Sequence, residues 1–496
     1  MLYTVCNCVV GGLVTGLGVA ILLYLIGRKR RKDLPPGPID FPLLGYLPFV
    51  LKHWDVEALR KKYGNVFGLK IGSRYVVFLC DFDSVKEALT HNALLDRPEE
   101  FPLNVSDTKS LITLNGTVWK EQRRFFVKTL KQLGAGTPAM EARIQQELSY
   151  LLHELQVRDG KPAVPANLLT TSVSNVLTEL LMNTRFGHKH PKRAHIDELV
   201  DAILVLSVQV TAVNLLPWLR RFICCFMLGT YGKLKQVFIN RSRFSESGVS
   251  KVEKTYEDGL VRNFTDAYIA EMKRRGEGNR LFTRELLIGN VASYFGGGSG
   301  TMRSALEWLL LMSAAKPDLQ GLVRTEIDAV IERKEPNGSN RVSWTDRSRM
   351  PYTQAFIWEV MRFKPVHPLS PMRSTSANIN LGGYFVPRGS IVISSFWSVF
   401  HEASFWGDPE VFRPERFLSD DGKSAKKPER LIPFSYGKRS CAGESIAVMV
   451  VFIFFTNILR HFSVEAPYDS AAALKDEVLG IAMRPAPRDL VFRPRA

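Results

Sequence analysis

The sequence predicts a mainly α-helical chain with small β-sheets, preceded by one N-terminal transmembrane helix. Three observations predict it. Helical periodicity dominates the chain beyond residue 80, strand-like alternation is confined to short stretches, and the first 27 residues carry no charged side chain. The 496 residues are 45% hydrophobic and 23% charged, so a large core can be buried and global disorder is excluded.

The N-terminal segment comes first. Residues 9–26 are apolar but for glycines, Thr15 and Tyr24, and the block Arg28-Lys29-Arg30-Arg31-Lys32 follows. A helix of roughly 20 residues spans a bilayer. A cleavable signal peptide would place its positive charge before a shorter apolar core, the opposite of this order. By the positive-inside rule the basic block stays cytoplasmic, which leaves the N-terminus lumenal and the rest of the chain cytosolic. Leu34-Pro35-Pro36-Gly37-Pro38 cannot be helix, because proline removes donors and restricts the residue before it. The expected organisation is therefore a lumenal tail and signal anchor over 1–27, a stop-transfer block and stiff linker over 28–38, and a body over 39–496.

Within the body, residues 66–79 alternate and carry Gly68 and Gly72, the pattern of a β-hairpin. Helical periodicity marks 119–133, 140–155, 199–216, 281–314, 353–363 and 444–462, and short strands are expected near 379–384 and 391–395. Neither a repeat nor a second linker divides this body, which reads as one domain. The segment 202–227 is apolar but interrupted by Pro217, Arg220 and Arg221. It reads either as a buried core helix or as a surface that dips into the membrane.

The formal charge of +17 points to an anionic membrane surface or acidic protein partners. Basic residues do not interleave with aromatics and no zinc-finger spacing occurs, so nucleic acid is not an expected partner. Of six cysteines, Cys6 and Cys8 lie in the N-terminal segment and Cys224 and Cys225 are adjacent, leaving Cys80 and Cys441 in the body. That placement suits a reducing compartment rather than a disulfide scaffold.

The chemistry concentrates in Phe434-Ser435-Tyr436-Gly437-Lys438-Arg439-Ser440-Cys441-Ala442-Gly443, which runs directly into the apolar stretch 444–462. A cysteine at a helix N-terminus beside two cations is placed where a thiolate is stabilised. Glycines on both sides permit a tight turn and close approach of a flat ligand. A lone cysteine is usually a small buried hydrophobe, but here Phe, Gly, Arg, Cys and Gly fall at fixed offsets.

This decapeptide resembles the haem-binding loop of the cytochrome P-450 family, animal microsomal branch. The resemblance implies the family's fold, with Cys441 as proximal thiolate to the iron of haem b, Phe434 packed beside it and Arg439 on a haem propionate. A thiolate donates electron density that favours O–O cleavage in bound dioxygen. Other stretches fall in the family's order. Glu359 and Arg362 share a helix face and, with Arg416 in Pro414-Glu415-Arg416-Phe417, resemble its Glu–Arg–Arg structural triad. Taken alone, Glu-x-x-Arg reads as a solvated surface pair. Trp119 and Arg123 resemble the pair that clasps a propionate, and Arg373, eleven residues before Tyr384, stands where another propionate ligand is expected.

Four glycines fall in five residues in Phe295-Gly296-Gly297-Gly298-Ser299-Gly300-Thr301. A phosphate loop would need a preceding strand and a Gly-Lys-Ser/Thr ending, and has neither. Each interior glycine costs about 0.8–1 kcal/mol of helix propensity, so the run suggests a close approach or a break. By resemblance this is the helix crossing the distal haem face, with Thr301 as the oxygen-activating threonine. The residue before it is normally an acid; here it is Gly300, which puts the usual proton route in doubt.

The implied activity is insertion of one oxygen atom from O2 into a lipophilic small molecule of steroid, fatty acid or xenobiotic type. Electrons would come from NADPH through an endoplasmic-reticulum reductase, with cytochrome b5 as a second donor. Lys120, Lys128, Lys131 and Lys438 are candidate docking contacts, and 101–113, 204–238, 294–298, 366–370 and 479–482 are candidate pocket stretches. Gly300 keeps open an isomerase or dehydratase that needs no external electrons; a membrane-tethered haem sensor is the non-enzyme alternative. Sequons at Asn104, Asn115, Asn240, Asn263 and Asn337 read as chance matches, because the expected topology keeps them out of the lumen.

Overall fold

The computed structural model describes residues 33–41, 44–46, 55–99, 101, 103–104, 109–187, 190–209, 222, 226, 229–334 and 340–495. The expected anchor over 1–27 and the basic block lie outside the described residues, as do 210–221, 223–225 and 227 of the apolar segment 202–227. The chain divides into two compact units, Met1–Glu100 with Thr211–Phe222 and Pro371–Ser395, and Phe101–Val210 with Ile223–Ser370 and Phe396–Ala496.

The first unit holds the larger sheet. Asp55 caps helix α1 (Val56–Tyr63) by accepting from the N–H of Ala58 at 3.0 Å. The expected hairpin follows as β1 (Val66–Ile71) and β2 (Arg74–Leu79), antiparallel with Val66 opposite Leu79. Gly68 sits in mid-strand because a Cβ there would lie 2.1 Å from the hydroxyl of Tyr75. After α2 (Phe82–Thr90), β3 (Arg373–Ser374), β4 (Ile379–Leu381), β5 (Tyr384–Val386) and β6 (Ile391–Ser394) complete this unit. The four-stranded order is β1-β2-β6-β3, with β6 parallel to β2 and antiparallel to β3.

The second unit is helical. It contains α3 (Gly116–Gln132), α4 (Pro138–Arg158), α5 (Pro165–Met182), α6 (Pro191–Gln209), α7 (Gly229–Lys254) and α8 (Phe264–Arg275). Then come α9 (Arg284–Ala315), α10 (Pro317–Glu332), α11 (Pro351–Phe363), α12 (Phe396–Phe400), α13 (Ala403–Trp406), α14 (Glu444–His461) and α15 (Ser470–Ala473). Two small antiparallel pairs close it: β7 (Phe462–Glu465) with β10 (Val491–Pro494), and β8 (Glu477–Val478) with β9 (Arg484–Pro485). Helices α3, α4, α9, α11 and α14 fall where periodicity placed them, each boundary within a few residues.

Helix α9, with Thr283 as its cap, is the axis of this unit. Its 32 residues span about 48 Å, and it packs against α5, α7 and α14. It is continuous through the glycine run. Of the two outcomes the sequence left open, close approach holds and a break does not. Among the described residues one helix, α14, is long and apolar enough to cross a membrane. Twelve of its residues, from Ile446 to Leu459, are buried inside the unit, so it is a core helix.

Candidate functional site

The cysteine loop is built by backbone geometry. Ser435 and Gly437 both adopt left-handed conformations, φ 66° and 73°, and the N–H of Cys441 returns to the carbonyl of Phe434 at 2.8 Å. Ser435, a non-glycine, is strained by this turn. The result delivers Cys441 to the N-terminal end of α14 as an exposed thiol, whereas Cys80 is buried in the first unit. A Cβ at Gly443 would meet nothing within 4 Å. The protein around Cys441 is dense enough that desolvation pushes its thiol above the ordinary range. The N–H of Gly443 and the Arg123 guanidinium oppose that rise, and Glu444 adds to it.

The cation that acts on this thiol is not a sequence neighbour. Lys438 is exposed, and Arg439 turns away to lie 3.8 Å over the ring of Trp119. Arg439 is buried and donates to the carbonyl of Leu114 at 2.6 Å and to Oδ1 of Asn115 at 3.2 Å. Arg123, one turn beyond Trp119 on α3, donates to the carbonyl and hydroxyl of Ser440 at 2.8 and 3.2 Å. Trp119, Arg123, Phe434, Arg439 and Cys441 therefore form one constellation. Arg373 belongs to the other unit, where it is buried on β3 and its Nη1 faces the carbonyls of Leu94 and Leu89 at 3.3 and 3.4 Å.

On α9 the hydroxyl of Thr301 donates to the carbonyl of Gly297 at 2.7 Å. Gly297 itself faces open space, with nothing within 4 Å of a Cβ placed there. The other three glycines are close-approach positions, each for a different helix. A Cβ at Gly296 would lie 2.8 Å from Nη1 of Arg241 on α7, and one at Gly298 would lie 2.7 Å from Cδ1 of Leu177 on α5. At Gly300 it would meet Cδ1 of Leu204 at 2.8 Å and Cγ1 of Val200 at 3.3 Å, both on α6. The place of the usual acid is thus filled by apolar side chains of α6.

Three of the candidate pocket stretches meet around these helices. The N–H of Ile481 donates to the carbonyl of Leu204 at 2.8 Å, and Nδ1 of His367 lies 2.7 Å from the carbonyl of Ile481. Behind the site, Glu359 is fully buried and binds Arg362 through both oxygens at 2.7 Å. It also accepts from Nε of Arg416 at 3.1 Å and from the N–H of Arg413 at 2.9 Å. The expected triad forms, and it is a core network rather than a solvated pair.

Sequence reasoning missed a buried charged group on the outer side of α9. Arg303 is buried and bonds Asp201 of α6 and, at 3.1 Å, Oγ1 of Thr170, while Glu307 lies 3.8 Å away. Burial pushes the Glu307 carboxyl up to about 7, with Arg303 and Arg484 pulling it down and Asp201 pushing it further up. Two opposite charges four residues apart inside an apolar stretch were the available signal. Arg241 was missed too, and the sequence of α7 holds no sign of it.

A lone accessible thiol at a helix N-terminus, with the Arg123 guanidinium acting on it, defines a class of site. Among the described residues no cluster of three His, Cys, Asp or Glu could hold a metal ion unaided. A porphyrin brings its iron with four ligands already in place and needs only Cys441 from the protein, and the cations suit its carboxylates. Haem fits the residues present.

Comparison with known proteins agrees. The family pattern of Cytochrome P450 matches residues 35–492. Human "Cytochrome P450 2U1" is 32% identical over 526 residues, covering 98% of this chain and 94% of that protein. Human "Cytochrome P450 2J2" is 32% identical over 490 residues, covering 96% and 95%. "Cytochrome P450 18a1" of Drosophila melanogaster is 30% identical over 467 residues, covering 90% and 85%. The chain belongs to the cytochrome P450 family of haem-thiolate monooxygenases, and its mainly helical body with small sheets is consistent with that family's fold.

Proposed function

We propose that the protein is a microsomal monooxygenase that inserts one oxygen atom from O2 into a lipophilic small molecule, using electrons from NADPH. The reading rests above all on Cys441, an exposed thiol pinned at the start of a core helix. The net reaction is RH + O2 + 2e⁻ + 2H⁺ giving ROH + H2O. Bound haem b supplies the reduction and cleavage of O2, favoured by the electron density of its thiolate ligand.

The chain's own residues do the rest. Cys441, its N–H held by the carbonyl of Phe434, would hold the iron of the haem, and Trp119, Arg123 and Arg439 would hold its propionates. The role of Arg373 as a further propionate ligand rests on the family resemblance alone. Thr301 spends its O–H on Gly297, which leaves the lone pairs of its oxygen to accept from a proton-bearing water. With Gly300 crowded by α6, protons arrive through water held by Thr301 rather than from a carboxylate at 300.

Lys120, Lys128 and Lys131 on α3 and Lys438 beside the cysteine are all exposed, a basic face suited to an acidic electron donor. That donor is the NADPH–cytochrome reductase of the endoplasmic reticulum, with cytochrome b5 as a second. Residues 1–27 anchor the protein by a single span, 28–38 form the basic stop and linker, and 39–496 form a cytosolic catalytic domain. Asn263 caps α8 through its side chain and is buried, so that sequon cannot carry glycan.

The test is the spectrum of the reduced, CO-bound protein. A strongly red-shifted Soret band is expected, an imidazole-type band in Cys441→His, and an intact band in Cys80→Ala. An unchanged band in Cys441→His removes the assignment. Product formed with NADPH and purified reductase, and none without electrons, separates monooxygenase from isomerase.

A further inference from the structure

Close to the end of the second unit, one short segment is bonded on both sides at alternate residues. The N–H of Ile481 donates to the carbonyl of Leu204 on α6 at 2.8 Å, and the carbonyl of Ile481 accepts from Nδ1 of His367 at 2.7 Å. Two residues on, the N–H of Met483 donates to the carbonyl of Val366 at 2.7 Å. The carbonyl of Met483 accepts from Nε1 of Trp308 on α9 at 3.2 Å. Residues 481–483 thus clamp together α6, α9 and the stretch 366–367, which lie far apart in sequence.

What the clamp holds is the cover over Gly300. Leu204 gives its carbonyl to Ile481 and brings Cδ1 within 2.8 Å of the place of a Cβ at Gly300, with Cγ1 of Val200 at 3.3 Å. Asp201, between them, is bound by Arg303 of α9 and lies 3.7 Å from Nη1 of Arg484, the residue after Met483. Gly480 belongs to the same fit, because a Cβ there would stand 2.6 Å from the carbonyl oxygen of Leu204, a backbone atom with little room to yield. A carbonyl oxygen only accepts, so His367 carries its proton on Nδ1 and donates it. Burial lowers the pKa of this ring, so it is neutral and has no other N–H to give.

We propose that His367 is a positioning residue for the oxygen chemistry: through Ile481 it keeps α6 seated on α9, so that Leu204 and Val200 exclude water from Gly300 beside Thr301. The proposal rests on the monooxygenase reading. Two electrons and two protons delivered to O2 without oxygen transfer give H2O2, and a site closed to stray water suppresses that side reaction. Where an acid at 300 would bring protons in, this chain seals the position and leaves the supply to water at Thr301.

The test uses the full-length holoenzyme. Hydrogen exchange is followed by mass spectrometry on peptides covering 200–207 and 479–484, and NADPH, product and peroxide are counted during turnover with purified reductase. His367→Leu removes the N–H at similar bulk, and loss of one hydrogen bond should speed exchange of both peptides roughly two- to tenfold. Peroxide per NADPH should rise and product should fall. His367→Asn places an amide N–H near the position of Nδ1 and should restore both readouts, which a general loosening of the fold would not allow. Leu204→Ala removes the cover but leaves the backbone bonds of the clamp, so peroxide should rise; adding His367→Leu should raise it no further. The inference is overturned if His367→Leu leaves exchange or peroxide at the wild-type level, if His367→Asn behaves as His367→Leu does, or if the two peroxide effects add. Exchange is read without electrons and the CO spectrum reports the thiolate. A wild type lacking that band or the product therefore fails the earlier reading, while the exchange arm still decides whether His367 holds the clamp.

Discussion

Crowding at Gly300 can be measured. A methyl group there would stand 2.8 Å from Cδ1 of Leu204 and 3.3 Å from Cγ1 of Val200, against the roughly 3.5–4.0 Å that carbon atoms prefer. Leu204 is buried and must retreat by roughly an ångström. Gly300→Ala gains about 0.8–1 kcal/mol of helix propensity. It loses about 1–3 kcal/mol to overpacking, so the net is a small destabilisation. Gly297→Ala, with nothing within 4 Å, should keep the propensity gain and be more stable than the wild type. Leu204→Ala alone costs about 2–5 kcal/mol. In the double variant Gly300→Ala/Leu204→Ala the new methyl occupies vacated space, so the two changes should couple favourably by about 1–3 kcal/mol. The assay is urea unfolding of haem-loaded protein, followed by tryptophan fluorescence and Soret absorbance at matched concentrations. Strict additivity, or a Gly300→Ala variant as stabilised as Gly297→Ala, would refute the packing account of the run.

Glu359→Gln strips the charge that binds two buried guanidinium groups. It should cost about 3–5 kcal/mol, read as a fall in the urea midpoint and in haem-loaded yield; a loss under about 1 kcal/mol contradicts the network. Glu307 keeps a proton in the folded chain that the unfolded chain releases, its carboxyl being pushed from 4.5 to about 7. Stability should therefore fall as pH rises from about 4.5 to 7, by roughly 3 kcal/mol from this group, and Glu307→Gln should remove that component. An unchanged pH slope in the variant sinks the assignment. Thr301→Ala should leave haem binding and NADPH use near normal while product falls and hydrogen peroxide rises, a shift in coupling of about tenfold. Unaltered product and peroxide would place the hydroxyl outside the proton path.

The cysteine loop was legible because its information is local: fixed offsets, two turns and the helix they start. Helices with one buried stripe were legible for the same reason. Helix α5 was not. Sixteen of its 18 residues are buried, so no stripe exists, and Thr170, Ser172, Ser174 and Asn175 give an interior helix a polar look. Asn175 earns its place only through partners far along the chain, Glu147 at 3.1 Å and the carbonyl of Phe186 at 2.9 Å. The same non-locality misplaced the charge around Cys441, where sequence adjacency offered Lys438 and Arg439 and geometry supplies Arg123. The glycine run was visible, but which helix each glycine admits depends on side chains of α5, α6 and α7.

Helix α3 has two sides with different duties. Outward it shows Lys120, Lys128 and Lys131, and inward Arg123 grips both the carbonyl and the hydroxyl of Ser440, the residue just before the cysteine. A protein that presses on the outer side leans on the same rigid rod that fixes the cysteine's neighbour. A tilt of that rod would reach the cysteine loop through Arg123 on Ser440 and through Arg439, which lies on Trp119 and bonds the helix cap Asn115. Docking and ligand geometry are in this way mechanically in series, and a visitor that binds without bearing on α3 would leave the sulfur undisturbed.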